Sequence, residues 1–372
     1  MRVCLIRCPS PFLIDDKVFP PLGLMAVGTV LKERGYDVHI HDGSIESIPM
    51  DFNHYGLGPT TPEYPSALEA LRLIRKSNSK AMVTIGGPHA NADCKDLFDE
   101  VIEGAVCYDS LIIDRSLLDV RSYKYYIDGH LATTMVTASG CPYKCAFCSK
   151  GPSFKARDVD LVIKEIETLR FDLDYKAIMF FDDTFILDKI RVMQICDCLK
   201  QMNMVWRCFV RADLVIKHGL DLLDVMADSG CVEVGMGIES GSNTILSNIN
   251  KGETVEEIKE AIGMIQGKGI RVKGFFIIGL PGESVDTIDA THSFLDDVSL
   301  DDADFTVFQP YPGGDIYKNK EQYDIDWDTL DRSEMFYKGK PGESSCFVRT
   351  SALSAGQLIE SRNRLEEAYG QI

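Results

Sequence analysis

The sequence predicts an α/β protein in two parts: an N-terminal doubly wound, Rossmann-like domain, then a partial (β/α)6 barrel, with a small C-terminal helical appendage. Three observations predict it. Short β-branched runs alternate with amphipathic stretches along most of the 372 residues, which is the rhythm of a parallel sheet. The length exceeds one typical domain and suits two. A stretch of weaker periodicity rich in tyrosine, Cys107 to His130, interrupts the rhythm. The expected boundaries are 1–115 for the open domain, 116–131 for a linker, 132–314 for the barrel and 315–372 for a C-terminal extension.

In the first part the strands read as Val3 to Ile6, Val38 to Ile40, Tyr55 to Gly58, Ala81 to Ile85 and Val101 to Ile102, with helices over Leu22 to Arg34 and around Ala67 to Arg75. Ligands of such sheets sit beyond the carboxyl ends of the strands. Those ends carry Cys8-Pro9-Ser10-Pro11, Gly58-Pro59-Thr60-Thr61, Gly86-Gly87-Pro88-His89 and Glu103-Gly104-Ala105, candidate binding loops whose glycines and prolines also suit plain turns. In the second part six strands read as Thr133 to Thr137, Ala177 to Phe181, Val205 to Val210, Cys231 to Ile238, Val272 to Ile278 and Phe305 to Gln309. Six successive βα units suggest a partial barrel. Between the fourth and fifth strands Thr254 and Glu257 form a capping-box pattern, and Ile258, Ala261, Ile262 and Ile265 share one face of the helix they open. The tail from Asp315 ends in a helical run, Leu358 to Tyr369.

With 39 basic and 57 acidic residues the formal charge is −18, which disfavours nucleic acid as a partner. No apolar run approaches the ~20 residues of a membrane helix. The first residues read directly into a strand, and twelve cysteines without a leader predict a reducing, cytoplasmic setting.

Three of those cysteines, Cys141, Cys145 and Cys148, fall on one loop after the first barrel strand, at the end of the barrel where active sites assemble. Thiolates are soft ligands for zinc or iron–sulfur clusters. A closed zinc site needs a fourth ligand, and no second Cys-x-x-Cys or Cys-x-x-His pair follows nearby. The nearest pair, Cys196-x-Cys198, lies on a helix whose apolar stripe, Val192, Ile195, Cys196 and Leu199, places Cys196 in a core. Three thiolates on a four-iron cluster would leave one iron open.

The CxxxCxxC spacing, with an aromatic before its last cysteine at the head of a βα barrel, resembles the signature of the radical S-adenosylmethionine (SAM) superfamily, and the likeness extends from Ala132 to Tyr317. It implies that Cys141, Cys145 and Cys148 ligate a 4Fe–4S cluster, that the open iron binds the amino and carboxylate groups of SAM, and that one electron cleaves SAM to methionine and a 5′-deoxyadenosyl radical. It also implies SAM contacts: Phe147 near the adenine, Asp182 and Asp183 at the methionyl ammonium, Arg211 at the carboxylate, Glu239 and Ser240 at the ribose, and Gly279 and Leu280 of a Gly279-Leu280-Pro281-Gly282-Glu283 loop on the adenine side. These residue types suit those duties. Asp183 or Asp188 would serve equally as a helix N-cap, and Pro310-Tyr311-Pro312-Gly313 after the sixth strand as a turn.

An open α/β domain ahead of the cysteine loop is similar to the cobalamin-binding subclass of radical SAM enzymes, on Pro20-Pro21-Leu22-Gly23-Leu24, Gly35-Tyr36-Asp37-Val38 and Gly86-Gly87-Pro88-His89. Pro59, Thr60, Gly86, Gly87 and His89 become candidate cobalamin contacts. The Asp-x-His-x-x-Gly signature of many cobalamin proteins is missing, since Asp37-Val38-His39 continues to Asp42, and the domain looks shortened after its second strand and after Glu103. Cobalamin thus rests on fold analogy.

The resemblance implies a cobalamin-dependent enzyme that methylates, or rearranges, an unactivated carbon of a small molecule or peptide. Its electron would come from a donor such as flavodoxin or ferredoxin. No catalytic side chain is identified. The alternatives are a cobalamin-free radical SAM oxidoreductase or mutase, a zinc-stabilised cobalamin-binding module, and a transfer-RNA methylthiotransferase. The last is disfavoured by the acidic charge and by Cys4, Cys8, Cys94 and Cys107 falling off its expected cluster loops.

Overall fold

The computed structural model describes residues 1–370 apart from 12, 14, 105–110, 150–152 and 329–344. Ala105 and Cys107 of the sequence reading lie outside the described residues, as does part of the C-terminal extension. Two compact units divide them: Met1–Tyr125 forms the first, and the described residues from Tyr126 onward form the second.

The first unit is a parallel sheet of β1 (Arg2–Ile6), β2 (Asp37–His41), β3 (His54–Leu57), β4 (Met82–Ile85) and β5 (Glu100–Val101), with α1 (Leu22–Glu33) and α2 (Tyr64–Ser77) between them. Its order is β2-β1-β3-β4-β5, so the chain reverses direction across the sheet between β1 and β3. That is the switch point at which doubly wound sheets bind ligands. Only single 3-10 turns, Ile45–Ser47 and Ala92–Cys94, lie in the β2–β3 and β4–β5 connections. Its core packs Cys4, Ile6, Tyr55, Ala67, Ile74 and Ile85.

At the start of the second unit β6 (Tyr125–Ile127), which begins on the last residue of the first, and β7 (His130–Met135) open a sheet. The short strands β8 (Ala138–Ser139) and β9 (Lys155–Ala156) follow, then α3 (Val159–Glu167), β10 (Ala177–Phe180), α4 (Lys189–Gln201), β11 (Val205–Val210), α5 (Ala212–Asp228) and β12 (Cys231–Glu239). After α6 (Asn243–Asn248) and α7 (Val255–Gln266) come β13 (Arg271–Ile278), α8 (Val285–Asp297), β14 (Asp302–Val307) and α9 (Asp315–Lys318). The order β14-β13-β12-β11-β10-β7-β6 keeps six strands parallel and sequential, an open half-barrel. The tail adds β15 (Asp326–Trp327), β16 (Val348–Arg349) and α10 (Ala355–Tyr369), and Leu358 and Leu365 of α10 join the core.

Strand alternation sorts the barrel's side chains. Trp206, Cys208 and Val210, with Val272, Phe276 and Ile278, are buried in the core that includes the helices. Their neighbours Arg207, Phe209, Lys273 and Phe275 are only partly buried, on the open face. That face carries ion pairs near the strand starts (Arg207–Glu233 at 2.8 Å, Lys273–Asp302 at 2.6 Å). Above them, the rings of Phe209 and Phe275 stand 5.9 Å apart.

Candidate functional site

The cysteine loop leaves β8 and returns through β9, and the antiparallel pairing of Ala138 with Ala156 and Ser139 with Lys155 ties its two ends. Inside it Ser153 N–H donates to Cys141 O at 3.1 Å. Gly140 adopts φ +77°, and a Cβ there would lie 2.2 Å from Ser153 O, so only glycine allows this closure.

Beneath the loop, three buried residues fix Val136 and Thr137. Asp182 accepts from the Thr137 N–H at 2.6 Å and from its hydroxyl, and Arg191 donates to Thr137 O at 2.7 Å. Arg157, whose own N–H reaches Thr137 O, donates to Val136 O at 2.6 Å and pairs with buried Glu165 at 2.6 Å. Asp182 is 1% exposed, and burial lifts its pKa to about 6 against the pull of its hydrogen bonds. Its carboxylate therefore holds the loop base, so of the two aspartates at this strand end it is Asp183, partly exposed, that remains as the acidic candidate. Asp183 O accepts from the Thr184 hydroxyl, and that hydroxyl lies 3.9 Å from Cys141 Sγ.

On the other side, Arg211 follows β11. Its guanidinium lies 3.6 Å over the Tyr143 ring, pairs with Asp213 at 3.0 Å and points Nη1 toward Cys145 Sγ at 3.8 Å. The Tyr143 hydroxyl donates to Asp213 at 2.8 Å, which with burial pushes its pKa up. Glu239, at the end of β12, is buried and pairs with buried Lys251 at 3.0 Å. Backbone contacts also hold the loop: Ala146 N–H donates to Ile249 O at 2.8 Å, and Ile316 N–H to Ala146 O at 3.1 Å. The turn after β14 thus leads into a segment packed on the cysteine loop and does more than reverse the chain.

Other sequence candidates are more enclosed. Ser240 is 2% exposed, and its hydroxyl faces Thr291 and accepts from Ser242 N–H. Leu280 belongs to the core, and the Gly279 N–H donates to Glu283, whose buried carboxyl is lifted to about 7 by desolvation. Phe147 is half-buried against the core. In the first unit His89 is 2% exposed, with its ring 4.1 Å from that of Tyr64 and Nδ1 3.2 Å from the Thr61 hydroxyl. It packs as a core histidine and is not presented as a ligand.

The sequence reading missed Asn250 to Glu253, Tyr143 and Arg157. A polar turn between two helices reads as solvated surface, and the one signal it offered was two opposite charges flanking a glycine after the fourth barrel strand.

Residues 135–295 match the radical SAM superfamily. The match runs from the end of β7 into α8 and so covers most of the half-barrel. That superfamily works with a 4Fe–4S cluster and SAM, and the chain is an enzyme. It is 28% identical to an uncharacterized methyltransferase of Pyrococcus horikoshii over 86% of this chain and 83% of that one. It is 24% identical to the bacteriochlorophyllide d C-12(1)-methyltransferase of Chlorobaculum tepidum, over 90% and 81%. It shares its fold with the radical SAM methyltransferase TsrM of Kitasatospora setae solved with tryptophan and a SAM analogue, at TM-score 0.71 and 15% identity over 91% of this chain and 80% of that one.

The donor set fits the family's cluster. Three thiols share a loop tied at both ends, and Arg211 Nη1 brings positive charge to 3.8 Å from Cys145 Sγ, which suits anionic cluster sulfur. Among the described residues no three His, Cys, Asp or Glu side chains converge on one ion; a cluster asks instead that each thiolate reach a different iron. No helix of the described residues is long and apolar enough to cross a membrane.

Proposed function

We propose that this radical SAM enzyme is cobalamin-dependent and methylates an unactivated carbon of a small molecule or peptide, taking its electron from a flavodoxin- or ferredoxin-like donor. The observation that carries the cobalamin reading is at the first sheet's switch point. Ser10 Oγ, after β1, is a buried hydroxyl without a hydrogen-bond partner, and Thr60 Oγ1, after β3, is buried beside the Glu63 carboxyl. A buried hydroxyl left unpaired is costly unless a ligand completes it, and both flank the crevice where such sheets bind ligands. With the backbone of Pro59, Gly86 and Gly87 they suit the amide side groups of a corrin. Cobalamin would then be held without His89. The C. tepidum relative's methyltransferase name and the TsrM structure solved with cobalamin and a 4Fe–4S cluster, at TM-score 0.68 and 14% identity over 92% of this chain and 83% of that one, support this reading.

In the barrel, Cys141, Cys145 and Cys148 would hold the cluster, which when reduced supplies the electron that cleaves SAM. Around it Asp183 would take the methionyl ammonium, Arg211 the carboxylate and Phe147 the adenine face. The tied loop ends and the Asp182–Thr137–Arg191 base keep these groups in place before SAM arrives, so binding energy is not consumed in ordering them. Phe209 and Phe275 on the open face would exclude water from the reacting carbon.

The reduced β2–β3 and β4–β5 connections favour a second reading, a cobalamin-free radical SAM oxidoreductase or mutase with a degenerate first domain. Anaerobic reconstitution with iron, sulfide and hydroxocobalamin, followed by desalting and turnover with a one-electron reductant, separates the two. Retained cobalt with both S-adenosylhomocysteine and 5′-deoxyadenosine formed supports methyl transfer. An iron-loaded chain that retains no cobalt and forms 5′-deoxyadenosine alone refutes it.

A further inference from the structure

The turn between α6 and α7 grips the cysteine loop. Asn250 Nδ2 donates to Lys144 O at 3.0 Å, and the Lys251 carbonyl accepts from Arg211 Nη2 at 2.8 Å. The Lys251 side chain itself turns inward. The residue is 4% exposed, with Nζ 3.0 Å from Glu239 Oε1 and 3.5 Å from Glu253 Oε2. A lysine is seldom buried this deeply, and only paired.

The partner is also unusual. Glu239 has φ +67°, a left-handed conformation that persists in a side-chain-bearing residue only when its surroundings impose it, and such residues cluster at functional sites. The strand register is irregular there, between Gly237 and Glu239. A Cβ on Gly237 would lie 2.5 Å from Glu239 Oε1 and 3.2 Å from Lys251 Nζ, so β12 is bare where the ion pair needs room. The pair reaches the thiol loop through its neighbours: Glu253 lies 3.5 Å from Lys251 Nζ and 3.6 Å from Arg211 Nη2, and Arg211 Nη1 lies 3.8 Å from Cys145 Sγ.

We infer that Lys251 and Glu239 are a pair of positioning residues whose opposed charges set the reduction potential of the cluster at its Cys145 corner. The inference rests on the reading of Cys145 as a cluster ligand. Positive charge and hydrogen bonds at cluster sulfur favour the reduced, more negative state, while a nearby carboxylate disfavours it. Lys251 would act directly by its charge and indirectly by holding Arg211 through its carbonyl. Because the two charges oppose each other at one sulfur, neutralising them one at a time must move the potential in opposite directions. A role confined to packing would not.

The test is an electron-paramagnetic-resonance redox titration of the full chain, reconstituted anaerobically and without SAM, in four variants: Lys251→Met, Lys251→Arg, Glu239→Gln and the Lys251→Met/Glu239→Gln double. Iron and sulfide per chain are measured alongside. The expected result is a more negative potential in Lys251→Met, a more positive one in Glu239→Gln, and values near the native one in Lys251→Arg and in the double variant. Shifts of the same sign, or an unmoved potential with the cluster intact, overturn the inference and leave the ligand reading standing. If Lys251→Met fails to retain iron, Glu239→Gln decides alone: a positive shift supports the inference and its absence overturns it. A native chain that assembles no four-iron cluster overturns the ligand reading and the inference with it.

Discussion

The two sheets present loops at the same, carboxyl, ends of their strands, but they equip those ends differently. In the first unit the ionisable groups there are engaged with one another: Asp42 with Arg7, Lys17 and Tyr123, Glu63 with the Thr60 N–H, and His89 with Tyr64 and Thr61. Among the described residues the hydroxyls at that edge are Ser10 Oγ, without a partner, and Thr60 Oγ1, beside Glu63. In the second unit the same edge carries three thiols with an arginine at 3.8 Å from one of them and a buried lysine behind it. The barrel specifies its chemistry through particular side chains, whereas the first sheet offers shape, backbone and hydroxyls. A cofactor held in the second way leaves little mark on a sequence.

Several substitutions sharpen or break that contrast. The largest effect belongs to Cys145→Ala, which should abolish cluster iron and 5′-deoxyadenosine formation while leaving cobalamin retention unchanged. Iron, sulfide and cobalt analysis of one preparation reads both, and loss of cobalt together with iron would show that the two edges are not separate sites. Next is Glu165→Ala, which removes the carboxylate partner of the buried Arg157 guanidinium. Removing one partner of such a pair costs ~3–5 kcal/mol, measurable by urea unfolding of the second unit's signal; a cost within experimental error would deny Arg157 its part in holding the loop base.

A smaller effect is expected in the first unit. Ser10→Ala with Thr60→Ala removes two hydrogen bonds to the proposed corrin, each worth ~0.5–1.5 kcal/mol, and should weaken cobalamin retention roughly tenfold with iron content unaltered. Equal retention in equilibrium dialysis would return the first sheet to a structural role. The smallest concerns Glu283. Its folded pKa, about 7, lies above its ordinary 4.5, so the folded state holds the proton more tightly. The stability this contributes is full below 4.5 and is lost as pH rises through about 7. Glu283→Gln should flatten that decline in a melting-temperature series across the same range, and an unchanged slope would contradict it.

Much of the fold was legible because hydrophobic periodicity carries it. β11 falls at Val205–Val210 as read, and the capping box of Thr254 and Glu257 is present. The misplacements have local causes. β7 ends at Met135 and not at Thr137, because Val136 and Thr137 leave the ladder to receive Arg157, Arg191 and Asp182. β14 starts at Asp302, three residues before the expected Phe305, because Asp302 and Asp304 pair with Lys273 on the neighbouring strand, so charges that read as loop lie in a sheet.

The site divides along the same line. Cysteine spacing announced the thiol loop. The roles of Asp182 and Asp183 could not be told apart, since burial alone separates them, and Lys251 sits in a turn whose charges read as solvated.

The most direct test of the account is Mössbauer spectroscopy of the anaerobically reconstituted chain, with and without SAM. Four irons per chain, one of which changes its signal when SAM is added, is the result predicted for three thiolate-bound irons and one open to SAM. Zinc in place of iron, or a four-iron spectrum indifferent to SAM, would contradict it.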